Sequence, residues 1–219
     1  MPLPPPFASG RDADVYALDD ARVLRRYRAG GDVSAEAKVM AHVLEHGYPV
    51  VRVLAAAGSD LVLERLAGPT MLEALASARL DVVDAARALA DLHTQLHAIP
   101  GLGPDPAERV LHLDLHPENV VLAPRGAVVI DWRNAVDGVP DLDAAMSALI
   151  IAQVGVDPAH PMRELARRLL ADFLALVHEE PGRQLDAAVT RRRVDPGLLP
   201  DEVALLSDAA RLVRSWSKP

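Results

Sequence analysis

Cysteine is absent from the 219 residues, which excludes disulfides and any thiolate metal centre. Excess positive charge is missing too. With 23 basic and 31 acidic side chains the net charge is −8, the wrong sign for a general nucleic-acid binder, so no nucleic-acid partner is expected. An acidic protein suits a cationic substrate, although the acidity is spread widely along the chain. No apolar run is long enough for a bilayer: the longest, Ala144 to Val156, is interrupted by Ser147 and Gln153, so no membrane partner is expected. The start, Met1-Pro2-Leu3-Pro4-Pro5-Pro6, has neither the basic nor the apolar region of a signal peptide. The expected location is therefore cytoplasmic. Abundant Ala, Leu, Arg and Pro match a high-GC bacterial source. Half of the residues are hydrophobic, ample for the core of one large or two small domains.

The most informative stretch runs from Val110 to Trp132. Two apolar runs, Val120 to Ala123 and Ala127 to Ile130, flank Pro124-Arg125-Gly126, the pattern of a β-hairpin. His112, Asp114 and Asn119 precede its first strand, and Asp131 follows the second. The hairpin is expected to gather two carboxylates and an amide at one end of a small sheet. Such hard oxygen donors suit Mg²⁺ and phosphate. Phosphoryl transfer needs an Asp beside the acceptor hydroxyl, then an Asn and a second Asp to hold metal on the nucleotide phosphates. His112-Leu113-Asp114-Leu115-His116-Pro117-Glu118-Asn119 matches the kinase catalytic-loop pattern His-x-Asp-x-x-x-x-Asn at every fixed position.

The form His-x-Asp-Leu-His-Pro-x-Asn, followed by Asp131-Trp132 where protein kinases have Asp-Phe-Gly, resembles the aminoglycoside phosphotransferase/choline kinase-like family. The resemblance covers roughly residues 8 to 180. It implies an α+β, two-lobed protein-kinase-like fold: a small N-terminal antiparallel sheet lobe (1–66) and a mostly helical C-lobe (67–219). It implies ATP and Mg²⁺ between the lobes, Asp114 as catalytic base, His112 bracing the loop, and Asn119 and Asp131 as metal ligands. It places Gly10 in the phosphate-covering loop, Arg25 at the phosphate-binding cation position and Glu36 as its helix partner. The backbone near Glu64 to Leu66 would meet adenine. Asp143 is the match to an acidic residue that braces the catalytic loop. The sequence departs from the family twice: Arg25 stands where Lys is usual, and prolines 4–6 nearly remove the first strand.

The rest of the chain reads as alternating elements. Strands are expected at 15–18, 21–27, 50–55 and 61–66, and a helix at 34–46 capped by Ser34. Thr70-x-x-Glu73 has capping-box spacing. Asp81 to Ile99 is an amphipathic helix whose His93 and His97 pack beneath the catalytic loop. Helices follow at 140–154, 158–178 and 200–216, with Arg191-Arg192-Arg193 read as solvated surface between the last two. The acceptor is a hydroxyl-bearing small molecule of unspecified identity. Glu179, Glu180, Asp186, Asp201 and Glu202 are either pocket carboxylates for an amine-bearing acceptor or ordinary exposed turn residues. The competing class is a catalytically impaired nucleotide-binding protein, a reading that Arg25 and the reduced first strand favour.

Overall fold

The structure is a computed structural model that describes residues 5–217, so residues 1–4 of the proline-rich start lie outside it. Five antiparallel strands form one layer in the order β1-β2-β3-β5-β4: β1 Ala8–Ser9, β2 Ala13–Ala17, β3 Arg22–Tyr27, β4 Val53–Ala57 and β5 Asp60–Glu64. Proline cannot donate to a ladder, and β1 is accordingly two residues long. In β3, Val23, Arg25 and Tyr27 alternate onto one face. That face meets helix α1, Ser34–Glu45, where Tyr27 Oη donates to Glu36 at 2.7 Å.

Two local expectations shift here. Ser34 does not cap α1; it is the first helical residue, and the Asp32 carboxylate accepts both its N–H and its hydroxyl at 2.9 Å. The expected strand at 50–55 begins instead at Val53. Residues 49–51 turn away to bond the hairpin, with Val129 N–H donating to Pro49 at 2.7 Å and Val51 N–H to Val129 at 3.2 Å.

The chain leaves the sheet through Gly68, which has φ +135° and would drive a Cβ into the Leu122 carbonyl. Helix α2, Met71–Ala76, starts with the expected reciprocal cap between Thr70 and Glu73. Helix α3, Val82–Leu96, is capped by Asp81. The hairpin pairs β7, Val120–Ala123, with β8, Gly126–Val129, and Gly126 supplies the positive φ of its turn. A second pair, β6 Arg109–Leu111 with β9 Val136–Gly138, ties the loop ends together.

Helix α4, Pro140–Val156, is buried on nearly every side, which accounts for the long apolar run there. Around it lie α3, α5 (Arg163–Leu176), α6 (Pro181–Arg193) and α7 (Pro200–Trp216). Helix α5 starts later than position 158 because Asp157 and His160 each take a backbone N–H two residues on, holding 157–162 in turns. Helix α6 was not expected. No helix among the described residues is long and apolar enough to cross a membrane.

Candidate active site

The loop after β6 is held from below by one carboxylate. Asp143, fully buried in the first turn of α4, accepts the N–H groups of His112 (3.1 Å) and Leu113 (2.6 Å) and a bond from His97 Nε2 (3.0 Å). Burial opposes its charge. The His97 bond and the nearby histidines outweigh burial, and the carboxyl sits well below its ordinary range. His97 also meets Glu179 at 2.5 Å; burial opposes its charge, but the two carboxylates raise it to about 9. Glu179 is thus spent beneath the loop and does not line the cleft. His93 sits one turn away, bonded to Leu89 and Ser147.

His112 takes a defined tautomer. Its Nε2–H donates to the Ile130 carbonyl at 3.1 Å, which leaves Nδ1 to accept the Asp114 N–H at 3.3 Å. Burial lowers its pKa, so a neutral ring fits both bonds. Its edge packs on Trp132 at 4.7 Å, and Trp132 is itself fully buried against Tyr48. Leu113 and Asp131 both adopt left-handed backbone, φ +62° and +64°. Such conformations cost roughly 1–3 kcal/mol each and persist where surrounding contacts impose them.

Asp114 and Asn119 meet directly. Asn119 Nδ2 donates to the Asp114 carbonyl at 2.8 Å and to its Oδ2 at 3.1 Å, so its Oδ1 is the outward oxygen. Burial lifts Asp114 to about 6, partly offset by His112 and Arg192. The bond from Ile130 N–H to the Asn119 carbonyl, 3.0 Å, brings Asp131 alongside. Arg25 reaches across from β3, bonding Glu36 at 2.8 Å and also Asp131 Oδ1. Asp131 Oδ2 has no partner among the described residues. No cluster of three His, Cys, Asp or Glu able to hold a metal occurs among them. What the site offers is one amide oxygen and one carboxylate, and an Mg²⁺ held by them would keep its remaining positions for phosphate and water.

These groups line a cavity of about 1270 Å³ between the sheet and the helices, together with Gly10, Glu64, Leu66 and Glu202. Gly10 N–H closes its own turn onto Ala13 at 2.9 Å, so it is not a free donor for phosphate. The loop is pinned from both sides, by Arg28 on the Gly10 carbonyl (2.8 Å), by Arg133 on Asp12 and by Glu202 on Arg11 (2.6 Å). The Glu64 carboxylate is taken by Arg125 and by the Arg52 N–H, and its own N–H bonds Arg52. Arg65 N–H bonds Ala21, and Leu66 N–H has no partner among the described residues.

Of the five acidic residues considered for the acceptor, only Glu202 lines the cleft. Glu180 pairs with Arg183 and Asp186 with Arg214 on the surface, and Asp201 is exposed. Two further residues of the cleft were given no role in the site from the sequence. His116, pushed down to about 4 by burial, lies 3.7 Å from Asp114 Oδ1. Arg192, expected on the surface, is largely withdrawn from solvent, its side chain 11% exposed, and lies 3.8 Å from the same oxygen.

A five-stranded antiparallel sheet over a helical lobe, with an Asp–Asn loop and a second Asp at their junction, is the build of a protein-kinase-like phosphotransferase. The sequence profile of the phosphotransferase enzyme family, APH, matches residues 5–109 and 98–172, and the chain belongs to that family. No curated protein matches it in sequence. Among solved structures it is similar to APH(2")-IIa in complex with gentamicin (14% identity, 95% of this chain and 92% of that one, TM-score 0.59). It is also similar to the amicoumacin kinase hAmiN in complex with AMP-PNP, Ca²⁺ and Ami (13%, 95% and 87%, TM-score 0.54). A third is a thermostable mutant of APH(4)-Ia with AMP-PNP and hygromycin B (13%, 98% and 94%, TM-score 0.56). At these identities the structures support the kinase-like fold.

Proposed function

We propose that the chain is an ATP-dependent kinase that moves the γ-phosphoryl group to a hydroxyl of a small molecule, with residues 1–66 and 67–219 as its two lobes. The observation that carries this reading is the meeting of Asp114 and Asn119, 3.1 Å apart, beside Asp131 at the mouth of an inter-lobe cleft. Bound MgATP supplies the phosphoryl group and the cation that neutralises its developing charge. Asn119 Oδ1 and Asp131 Oδ2 are the oxygens suited to that cation, and Leu66 N–H is suited to the adenine edge. Arg25, held between Glu36 and Asp131, serves as the phosphate-side cation. Asp114 orients the acceptor hydroxyl and takes its proton as the new O–P bond forms and the bond to the departing ADP oxygen breaks. His112 and Asp143 position the loop without touching substrate. The complete acid–amide–acid set favours catalysis over the reading of an impaired nucleotide binder, despite Arg25.

The test is Asp114→Asn. Phosphoryl transfer is expected to fall by about 10²–10⁴-fold while MgATP affinity, measured by calorimetry, stays close to wild type. Undiminished transfer in that variant removes Asp114 from its role.

A further inference from the structure

Building on the kinase reading above, we propose that the acceptor is an anionic hydroxy compound with an aliphatic body, its acidic group seated on Arg192, rather than a polyamine. Arg192 comes from the last turn of α6, and its side chain is only 11% exposed. It is oriented by two bonds, Nη1 to Asp195 at 3.0 Å and Nε to Gln153 at 3.2 Å. Its Nη2 has no partner among the described residues, while Nη1 stands 3.8 Å from the Asp114 oxygen. A hydroxyl placed on Asp114 therefore has a guanidinium edge beside it, at the distance of a neighbouring substituent. Guanidinium pairs with carboxylate or phosphate oxygens in a fixed fork and repels an ammonium.

The charges around it point the same way. A polyamine needs uncommitted carboxylates, and two on this wall are already paired: Asp195 with Nη1 of Arg192, which leaves that guanidinium's Nη2 to an anion, and Glu202 with Arg11 through a bidentate bond at 2.6 and 2.8 Å. Three other cleft carboxylates lack a basic partner among the described residues. Glu118 is exposed, Glu73 accepts the Thr70 N–H in its cap, and Asp157 accepts the Ala159 N–H in its turn. Around Arg192 the helical wall carries Ile150, Ile151, Val154, Leu165, Leu169 and Leu205, with Gln153, Asp157 and His160 the polar residues among them. Such a surface favours hydrocarbon over hydrated ammonium groups.

The test uses the full chain saturated with Mg²⁺ and AMP-PNP, titrated calorimetrically with a series of aliphatic hydroxy acids (3-hydroxybutyrate to longer chains), and separately with gentamicin. Binding of a hydroxy acid is expected, weakened about ten- to hundred-fold in Arg192→Gln and only partly in Arg192→Lys, with thermal melting confirming that both variants fold. Gentamicin binding with no hydroxy-acid binding overturns the proposal, as does equal hydroxy-acid affinity in Arg192→Gln. AMP-PNP binding without binding of any hydroxy acid also overturns it and leaves the kinase reading standing. Absence of AMP-PNP binding sinks the kinase reading itself.

Discussion

Two of the arginines that line the cleft, Arg25 from the sheet and Arg192 from the helices, differ in how they are held. Arg25 stands on the central strand β3, paired with the buried Glu36 of α1 and with Asp131, and Tyr27 also bonds that glutamate. Arg192 stands at the end of α6, paired with the partly exposed Asp195 and with Gln153. Burial penalises the Arg25 charge, and the carboxylates of Asp131 and Glu36 more than restore it, so its pKa rises. The first arginine is part of the frame that fixes the site. The second is a side chain in the last turn of a helix, beside a partly exposed partner, where exchange costs the fold little. A frame and a fitting surface can thus carry the same residue type with opposite tolerance to change.

Substituting each separates the two. Arg25→Met leaves the buried Glu36 carboxylate without a cation, held only by the Tyr27 hydroxyl, and should cost about 3–5 kcal/mol in denaturant unfolding. Arg192→Met should cost only about 1 kcal/mol, because Asp195 can turn to water. Equal losses would erase the distinction between frame and fitting surface.

The histidine layer under the loop belongs to the frame, and pH sharpens the point. His97 titrates at about 9 in the fold against 6.5 unfolded. Its contribution is therefore complete below pH 6.5 and is lost as pH rises through about 9. Asp143 and Glu179 are depressed, so their contributions are present at neutral pH and lost toward acid. Unfolding free energy should drop on the order of 1–3 kcal/mol between pH 6.5 and about 9, and His97→Gln should be flat across that range. A wild-type curve without this slope would refute the ion-paired His97.

The smallest effect is expected at the loop latch. Glu202→Gln removes the bond to Arg11 from a partly exposed pair and should cost less than about 1 kcal/mol, an effect that added salt abolishes. A larger, salt-insensitive loss would move this contact into the frame.

The same contrast explains what the sequence disclosed. The hairpin and the gathering of Asp114, Asn119 and Asp131 were legible because fixed spacing and strand alternation carry them, whereas the Arg25–Glu36 pair was legible only through the family resemblance. The Asp81 and Thr70 caps were legible because capping chemistry is local. Arg192 was not. It sits in a run of three arginines whose helix, α6, is rich in polar side chains and buries only Pro181, Leu185 and Ala188 along its length. Its importance comes from where α6 packs, a tertiary fact with no short-range trace. His116 lay inside the motif yet gained meaning only from its distance to Asp114. The acidic residues divided for the same reason, because sequence records their charge but not their partners: Glu180, Asp186 and Asp201 are exposed, Glu202 lines the cleft, and Glu179 has found His97.

The central claim is that Asn119 and Asp131 converge on one divalent cation beneath a nucleotide. Calorimetric titration of ATP with and without Mg²⁺, on wild type and on Asp131→Asn, tests it most directly. The account predicts that Mg²⁺ tightens ATP binding to wild type and that Asp131→Asn weakens the Mg²⁺-dependent binding about ten- to hundred-fold. Mg²⁺-dependent binding of undiminished strength in Asp131→Asn would contradict it.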